Sequence, residues 1–296
     1  MPVLNTGLVK AGADPVWYGS RGVFVGGYQG SGVYVNVMDY ITIASTGNAT
    51  DFGDRSINAN SAGACSNGSR GVWGGGGPVD SNVMDYITFA STGNATDFGD
   101  RTITGSTCSG CSDGSRGVFM AAWASNVMDY ITIETTGNAT DFGDLNYTGG
   151  FQGSCADSTR GVIAGAYQNT DHIDYITIQT TGNATDFGDL IGNFYAVAGC
   201  SDTTRGMFGG GWGSGGPRNV MQYVTIQTTG DATDFGNLTI THESPGGVSD
   251  ATKAVWGGGN YTDPTIGYVT IQSTGDASDF GDLSVARSNM SGASGE

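Results

Sequence analysis

The tetrapeptide Asp-Phe-Gly-Asp occurs six times, once with Asn in its last place, and it sets two carboxylates three residues apart. Its copies begin at Asp51, Asp97, Asp141, Asp186, Asp234 and Asp279. Closely spaced carboxylates can bind cations, but an EF-hand loop needs ligands at alternate positions and a distant bidentate Glu. Neither feature accompanies the tetrapeptide. We therefore interpret it as part of a turn and a strand, and the sequence predicts no metal loop here.

A Thr-Gly-Asn-Ala-Thr phrase precedes each tetrapeptide in near-identical form. In the first copy Asn48, Thr50 and Asp51 are suited to cap a tight turn through side-chain hydrogen bonds to the backbone, while Gly47 and Gly53 permit positive φ. Two later copies have Asp at the Asn position, Asp231 and Asp276. A capping role tolerates this exchange. The Asn-Ala-Thr string also fits the N-glycosylation pattern, but we interpret it as turn chemistry.

Five cysteines are further candidates, because thiolates bind soft metals. Four of them lie five residues before an Arg at one position of the repeat, and the fifth is extra. The four are Cys65, Cys111, Cys155 and Cys200, and Cys108 is the fifth. Small side chains suit a crowded inner strand, so we expect packing rather than a ring of metal ligands. The Cys108-x-x-Cys111 pair has no second pair, and an odd count does not predict a disulfide framework.

The basic and histidine residues do not form a recognisable catalytic set. His172 and His242 occupy non-equivalent positions of the repeat. The arginines open a repeated segment, as in Arg70-Gly71-Val72-Trp73, and we expect them to pair with acidic residues of a neighbouring unit. Those acids are either the turn acids or the set Asp39, Asp85, Asp129 and Asp174. No nucleophile lies at a recognisable spacing from a base, so the sequence predicts no enzyme, no metal site and no cofactor.

Aromatic residues in the variable segments of the repeat offer recognition chemistry instead. Tyr28, Trp123, Tyr167, Trp212 and Tyr261 stand beside Asn, Asp and Gln in segments that differ between copies. Aromatic platforms with polar neighbours suit sugars or protein partners. The alternative is that these rings pack over the glycine clusters of adjacent units. The sequence leaves both interpretations open.

A repeat with a period of 44 to 48 residues must position all of these side chains. Its most constant feature is a Tyr followed 12 residues later by a Phe. The six pairs are Tyr40 and Phe52, Tyr86 and Phe98, Tyr130 and Phe142, Tyr175 and Phe187, Tyr223 and Phe235, and Tyr268 and Phe280. Such a period indicates a unit that buries its apolar face only against neighbours. Four short β-type segments per copy predict an all-β, six-bladed propeller with four-stranded blades; a parallel β-helix, whose coils are shorter, is the rival.

The predicted blades resemble kelch repeats. Val23-Phe24-Val25-Gly26-Gly27 is similar to the kelch glycine strand, Tyr40 to the kelch Tyr, and Phe52 stands where kelch has Trp. The resemblance covers nearly the whole chain and implies propeller blades. In every copy Phe replaces Trp and the interval from Tyr is longer than in kelch, so no kelch-specific partner is implied.

The ring of blades needs an inner strand for its first member. We expect one propeller domain over residues 16–296, after an N-terminal arm or tether over residues 1–15. Alignment of the copies places Ala293 at the position of Cys200, so the segment 290–294 is predicted to complete blade 1. The alternative is that Pro15-Val16-Trp17-Tyr18 fills this place.

Composition limits the partners. The net charge of −17, from 28 acidic and 11 basic residues, repels phosphate backbones and makes nucleic acid a poor partner. No apolar stretch of 18 residues is present, so no membrane insertion is predicted, and no signal peptide is visible.

The whole repeated phrase, Tyr-Ile-Thr-Ile-x-Thr-Thr-Gly-Asn-Ala-Thr-Asp-Phe-Gly-Asp, is similar to repeats in proteins of phages, particularly phages of aquatic bacteria. The resemblance implies a non-enzymatic component of the virion surface, either a receptor-binding or tail-fibre element or a capsid decoration. Its partners would be other virion proteins or a host-surface glycan or receptor. The alternatives are a lectin-like propeller outside a virion and an enzyme with an unrecognised site. The sequence predicts neither the host, the ligand nor the oligomeric state.

Overall fold

The computed structural model of the chain describes residues 19–120, 122–167 and 170–295. These residues form six antiparallel sheets of four principal strands, arranged as a β-propeller. The predicted all-β, six-bladed architecture is thereby confirmed. The proposed N-terminal arm, 1–15, and the alternative closing segment, 15–18, lie outside the described residues. Within the described part of the chain, no helix is long and apolar enough to cross a membrane.

The first three blades follow one another in sequence. Blade 1 contains β1 (Arg21–Tyr28), β2 (Tyr34–Thr42) and β3 (Thr50–Asp54). Blade 2 contains β4 (Gly63–Ser66), β5 (Arg70–Gly74), β6 (Ser81–Thr88) and β7 (Thr96–Gly105). Blade 3 contains β8 (Ser109–Ser112), β9 (Arg116–Met120), β10 (Val127–Thr132) and β11 (Thr140–Asp144).

The other three blades complete the ring. Blade 4 contains β12 (Gly153–Ala156), β13 (Arg160–Ala166), β14 (Thr170–Thr177) and β15 (Thr185–Asp189). Blade 5 contains β16 (Ala198–Ser201), β17 (Arg205–Gly209), the two-residue β18 (Trp212–Gly213), β19 (Gly216–Thr225) and β20 (Thr233–His242). Blade 6 contains β21 (Gly246–Ser249), β22 (Lys253–Gly257), β23 (Thr265–Thr270) and β24 (Ser278–Asp282), and β25 (Ser291–Gly295) follows it.

Strand β25 closes the ring by pairing with β1 as the innermost strand of blade 1. Arg21 lies opposite Gly295, and Val23 lies opposite Ala293. In blade 2 the pair Cys65 and Val72 has the same relation, so the predicted alignment of Ala293 with the cysteine position is correct. The closing strand is therefore the C-terminal segment that the sequence predicted.

The apolar core is divided into six clusters, each of which lies between two neighbouring blades. Between blades 3 and 4, for example, Val118 and Phe142 pack in one cluster with Ile163 and Ile176. A single blade thus buries its apolar side chains only when a neighbour covers them, which is why the unit must repeat around a closed ring. In every blade the repeated Tyr and Phe contact each other edge to face, with ring centroids 5.7 to 6.1 Å apart.

The inner strands consist of small residues that fit between the second strands of adjacent blades. A Cβ atom added to Gly117 would lie 2.4 Å from Sγ of Cys65, and one added to Gly161 would lie 2.5 Å from Sγ of Cys111. The cysteines therefore fill the space that these glycines leave. Burial raises the pKa of Cys111 to about 12, so its thiol stays protonated. Packing, as the sequence analysis expected, accounts for the cysteine positions.

Candidate functional site

The meander topology divides the surface of the ring into two rims with different chemistry. We call the turn rim the side that carries the connections between first and second and between third and fourth strands, such as 67–69 and 89–95 in blade 2. The loop rim is the opposite side, which carries the connections between second and third strands and between blades, such as 75–80 and 106–108. The connections between third and fourth strands on the turn rim are nearly identical in all six blades, whereas the connections on the loop rim vary.

On the turn rim, the repeated Asn reaches across a blade boundary. Oδ1 of Asn94 accepts a hydrogen bond from the backbone N–H of Asp54 in the preceding blade at 3.1 Å, and the N–H of Gly93 donates to the carbonyl of Phe52 at 2.7 Å. Gly53, at φ 141°, allows this approach, since a Cβ there would lie 2.4 Å from the Gly93 oxygen. The sequence analysis assigned the Asn to its own turn; it instead fastens that turn to the neighbouring blade.

The same acceptor is present at every boundary. The six side chains are Asn48, Asn94, Asn138, Asn183, Asp231 and Asp276. Because either an amide or a carboxylate supplies the required Oδ1, the exchange of Asn for Asp in the last two blades leaves the contact intact. The repeated phrase therefore serves inter-blade packing.

The strand-opening arginines do not pair with acidic residues, so that prediction was wrong. The guanidinium carbon of Arg70 lies 4.3 Å from the centre of the Tyr86 ring in its own blade, and Nη1 donates to the carbonyl of Ile133 in the next blade at 3.0 Å. Each equivalent basic residue also lies over the Tyr of its blade: Arg21, Arg116, Arg160, Arg205 and Lys253. The cation–π contact holds the ring of the repeated Tyr in place in each blade.

Three of the four buried aspartates in the predicted set, Asp39, Asp85 and Asp129, are paired instead with arginines that do not recur in the other blades. Nε of Arg55 lies 3.0 Å from Oδ2 of Asp85, and Nε of Arg101 lies 3.0 Å from Oδ1 of Asp129. The third such pair, between Arg287 and Asp39, joins blade 6 to blade 1 at 2.7 Å. All of these side chains are buried. They are structural ion pairs that join neighbouring blades.

On the loop rim, four aromatic side chains from three blades form one group, which we call the aromatic cluster: Trp123, Phe151, Tyr167 and Tyr195. The ring centroids of Trp123 and Tyr167 are 4.4 Å apart, and Trp123 also contacts Phe151 at 6.1 Å. Tyr195 contacts Tyr167 at 5.5 Å and Phe151 at 6.1 Å. The exposed fractions are 49% for Trp123 and 38% for Tyr167, so two rings of the cluster face solvent.

The predicted ring of five aromatic residues is thus divided into separate groups. Trp123 and Tyr167 meet in the aromatic cluster, while Tyr28 and Tyr261 meet at the boundary of blades 1 and 6 with centroids 6.2 Å apart. Tyr261 also covers Gly30, whose added Cβ would lie 3.2 Å from its ring, so the glycine-packing alternative holds there. Trp212 is half-buried, and its backbone N–H donates to the carbonyl of Tyr195 at 2.7 Å.

Sequence analysis missed Phe151 and Tyr195 as members of the cluster. Both lie in connections between blades: Phe151 is two residues before the inner strand β12, and Tyr195 is three residues before the inner strand β16. The signal was available, since these connections vary between copies as much as the loops that carry Trp123 and Tyr167. Burial raises the pKa of Tyr195, with smaller contributions from Tyr167 and Glu243. Its hydroxyl therefore remains neutral and able both to donate and to accept a hydrogen bond.

The axis of the propeller is a poor alternative site. Its walls are backbone and small side chains of the inner strands, such as Ser66, Ser112 and Ser201, and the cavity among them is about 90 Å³. This volume suits a few water molecules. The loop rim remains the candidate site.

Comparisons with known proteins add no assignment: no protein-family model matches the chain, and no curated protein matches it.

Proposed function

We propose that the protein is a non-enzymatic, kelch-like binding propeller of a phage virion surface, and that its aromatic cluster binds a glycan of the host surface. The observation that carries the proposal is the tilted pair of Trp123 and Tyr167, whose rings are 4.4 Å apart at an angle of 43° and partly exposed. An exposed aromatic face can stack against the apolar face of a sugar ring, while the hydroxyls of the sugar form hydrogen bonds with polar neighbours.

The contrast between the two rims supports a binding role. On the turn rim, the repeated Asn, Arg and Tyr residues are engaged in contacts within and between blades. On the loop rim, by contrast, large aromatic side chains gather in three neighbouring blades out of six. Function on a rigid scaffold is commonly carried by such variable loops, and partly exposed Trp and Tyr are frequent centres of recognition.

The net charge of −17 indicates which glycans fit best. A strongly acidic protein repels sialylated or uronic acid-containing chains. The cluster itself adds acidity, because the Glu243 carboxylate lies near Tyr195. We therefore propose a neutral saccharide as the ligand. The assignment to a virion surface is supported by the resemblance of the repeated phrase to phage proteins.

A glycan array that contains neutral and anionic chains tests the binding role. We expect retention of neutral glycans, and a loss of affinity of at least about tenfold in Trp123→Ala and in Tyr167→Ala. Tyr261→Ala is the matched control, because Tyr261 is similarly exposed but lies outside the aromatic cluster. Absence of glycan binding, or equal binding by all three variants, would contradict the proposal.

The location is tested separately, by mass spectrometry and antibody labelling of purified phage particles. A protein that binds glycans and is present on particles supports the receptor-binding role. Glycan binding without particle association favours a lectin outside a virion. Particle association without glycan binding favours a capsid decoration.

A further inference from the structure

Three side chains with metal-binding atoms meet at the outer edge of blade 4, on the side of the loop rim. They are Asp171, His172 and Asp189, and one ligand atom of each lies within 4.8 Å of the other two. Nδ1 of His172 lies 3.6 Å from Oδ1 of Asp189. Two ligand atoms of a tetrahedral zinc site are about 3.4 Å apart, given metal–ligand bonds of about 2.1 Å. Small side-chain rotations would bring the three atoms to that geometry.

The cluster arises from a local departure from the repeat. Asp189 is the last Asp of the repeated tetrapeptide and lies opposite His172 in the strand pair. In blade 3 the equivalent Asp144 lies opposite Val127. The residue at the position of Asp171 is Asn126 in blade 3. Two adjacent exchanges, Asn to Asp and Val to His, therefore add two ligands beside a carboxylate that the repeat already supplies.

No other blade has this combination in its sequence. The His172 position is occupied elsewhere by Val37, Val83, Val127, Val220 and Thr265. The Asp171 position is occupied elsewhere by Asn36, Asn82, Asn126, Asn219 and Pro264. Because the other blades have the same strand register, they are internal controls that lack this set of metal-binding side chains.

The surroundings of His172 favour a cation. An open cleft of about 420 Å³ adjoins the imidazole, and its wall includes the exposed Asp186 and also Asp174, whose carboxylate already accepts two hydrogen bonds from Asn146. None of the described residues that line the cleft is Lys or Arg. The Tyr147 ring is nearly parallel to the imidazole, with centroids 6.1 Å apart and planes inclined by 25°. The His172 side chain is 55% exposed, so an ion and its water have access.

We propose that Asp171, His172 and Asp189 bind one divalent transition-metal ion, with Zn²⁺ as the expected ion and water completing its coordination. An imidazole nitrogen with two carboxylate oxygens suits zinc and its neighbours, whereas Ca²⁺ and Mg²⁺ prefer oxygen ligands alone. The sequence analysis predicted no metal because the two histidines are not equivalent. A single His suffices here, since the fold brings it to two carboxylates.

The bound ion would add a link between β14, which carries Asp171 and His172, and the outer strand β15, which carries Asp189. The metal site does not depend on the proposed function, because its ligands and its binding measurement do not involve a glycan.

Isothermal titration of the full chain with ZnCl₂, after chelation and in the absence of glycan, tests the proposal. We expect one ion per chain, and an affinity at least tenfold lower for His172→Val and for Asp171→Asn, which restore the residues of the repeat. Titration with Co²⁺ identifies the ligands: imidazole and carboxylate give visible bands alone, and thiolate adds strong near-ultraviolet bands. Thiolate bands, or equal affinity in wild type and His172→Val, would overturn the assignment.

A transplanted site provides the converse experiment. The double variant Asn126→Asp, Val127→His should create in blade 3 the set that blade 4 contains, with Asp144 as the third ligand. We expect the stoichiometry to rise from one ion to two. If the folded variant still binds one ion, the three residues are not sufficient and the proposed ligand set is wrong.

Discussion

Arg55 and Asp85 form a buried ion pair across the boundary of blades 1 and 2, with Nε and Oδ2 3.0 Å apart. At the boundary of blades 3 and 4, Asp174 occupies the position of Asp85, but its partner is the neutral Asn146, whose Nδ2 donates to Oδ1 at 2.8 Å. One repeated carboxylate therefore has a charged partner in one interface and an uncharged partner in another.

This difference predicts that the same substitution has a large effect at one interface and a small effect at the other. Asp85→Asn leaves the Arg55 charge buried without its counter-charge and should lower the free energy of unfolding by about 3–5 kcal/mol. Burial raises the pKa of Asp174, so its ionised form is disfavoured in the fold, and Asp174→Asn should change stability at pH 7 by no more than about 1 kcal/mol. Urea unfolding of both variants measures the difference. Equal destabilisation would contradict our account of the two interfaces.

Deletion of residues 288–296 removes β25 and leaves β1 without its inner partner. It also removes the hydroxyl of Ser291, which donates to the carbonyl of Ala62 in blade 2 at 2.7 Å, and that of Ser294, which accepts from the N–H of Ser249 in blade 6 at 2.8 Å. We expect a loss of at least about 3 kcal/mol, the scale of one large core truncation. Removal of residue 296 alone is the control. Unchanged thermal unfolding of the longer deletion would refute closure by β25.

Two substitutions of Asn94 show whether the contact between blades needs only an acceptor oxygen or the amide group itself. Asn94→Ala removes the Oδ1 that accepts from the Asp54 N–H and should cost about 1 kcal/mol. Asn94→Asp keeps the acceptor and should be nearly neutral, because Asp231 and Asp276 make the same contact in blades 5 and 6. Chemical denaturation compares the two variants. A large cost for Asn94→Asp would show that the amide itself is required.

Burial of His242 predicts a stability change in mild acid. Nδ1 donates to the carbonyl of Gly258, and desolvation lowers the pKa of the imidazole. Below about pH 6.5 the unfolded chain takes up a proton that the folded chain excludes, so this contribution to stability is present at pH 7 and is lost as the pH falls. His242→Gln should therefore flatten the dependence of unfolding free energy on pH between about 7 and 5. Parallel curves for variant and wild type would rule this out.

The sequence was sufficient to predict the blade because packing positions recur. A Tyr and a Phe 12 residues apart, repeated six times, have to occupy equivalent places, and a closed ring is the simplest way to make six places equivalent. The same reasoning placed Ala293 opposite Val23. These inferences needed only the order of residues and the period.

The contacts between blades could not be predicted in the same way. The partner of Asn94 lies 40 residues earlier, and the twist between blades decides which atoms meet. The arginine error has the same origin, since sequence alone did not show which arginines lie inside. A clue was present: Arg55 and Arg101 directly follow the tetrapeptide, and each precedes a blade with a buried Asp, whereas Leu145 stands in that place before Asp174.

The sequence predicted only part of the aromatic cluster, because contacts between blades again decide which rings meet. Sequence variation indicated the loop rim and singled out Trp123 and Tyr167, which the structure brings together. It did not indicate which loops converge, so Trp212 was grouped with rings that it does not join. The sequence did not reveal that His172 lies beside two carboxylates, because only the strand register of the structure places Asp189 opposite it.

The pairing of β25 with β1 also governs the order in which the molecule can be made. Blades 2 to 6 each consist of strands that are adjacent in sequence, so each can pack against the blade before it soon after its last strand leaves the ribosome. Blade 1 consists of strands separated by some 240 residues, from β3 to β25. Its inner edge stays open throughout synthesis, and contacts of such long range form slowly. The period before closure is therefore when the nascent protein is most exposed to aggregation or to exchange of strands between chains.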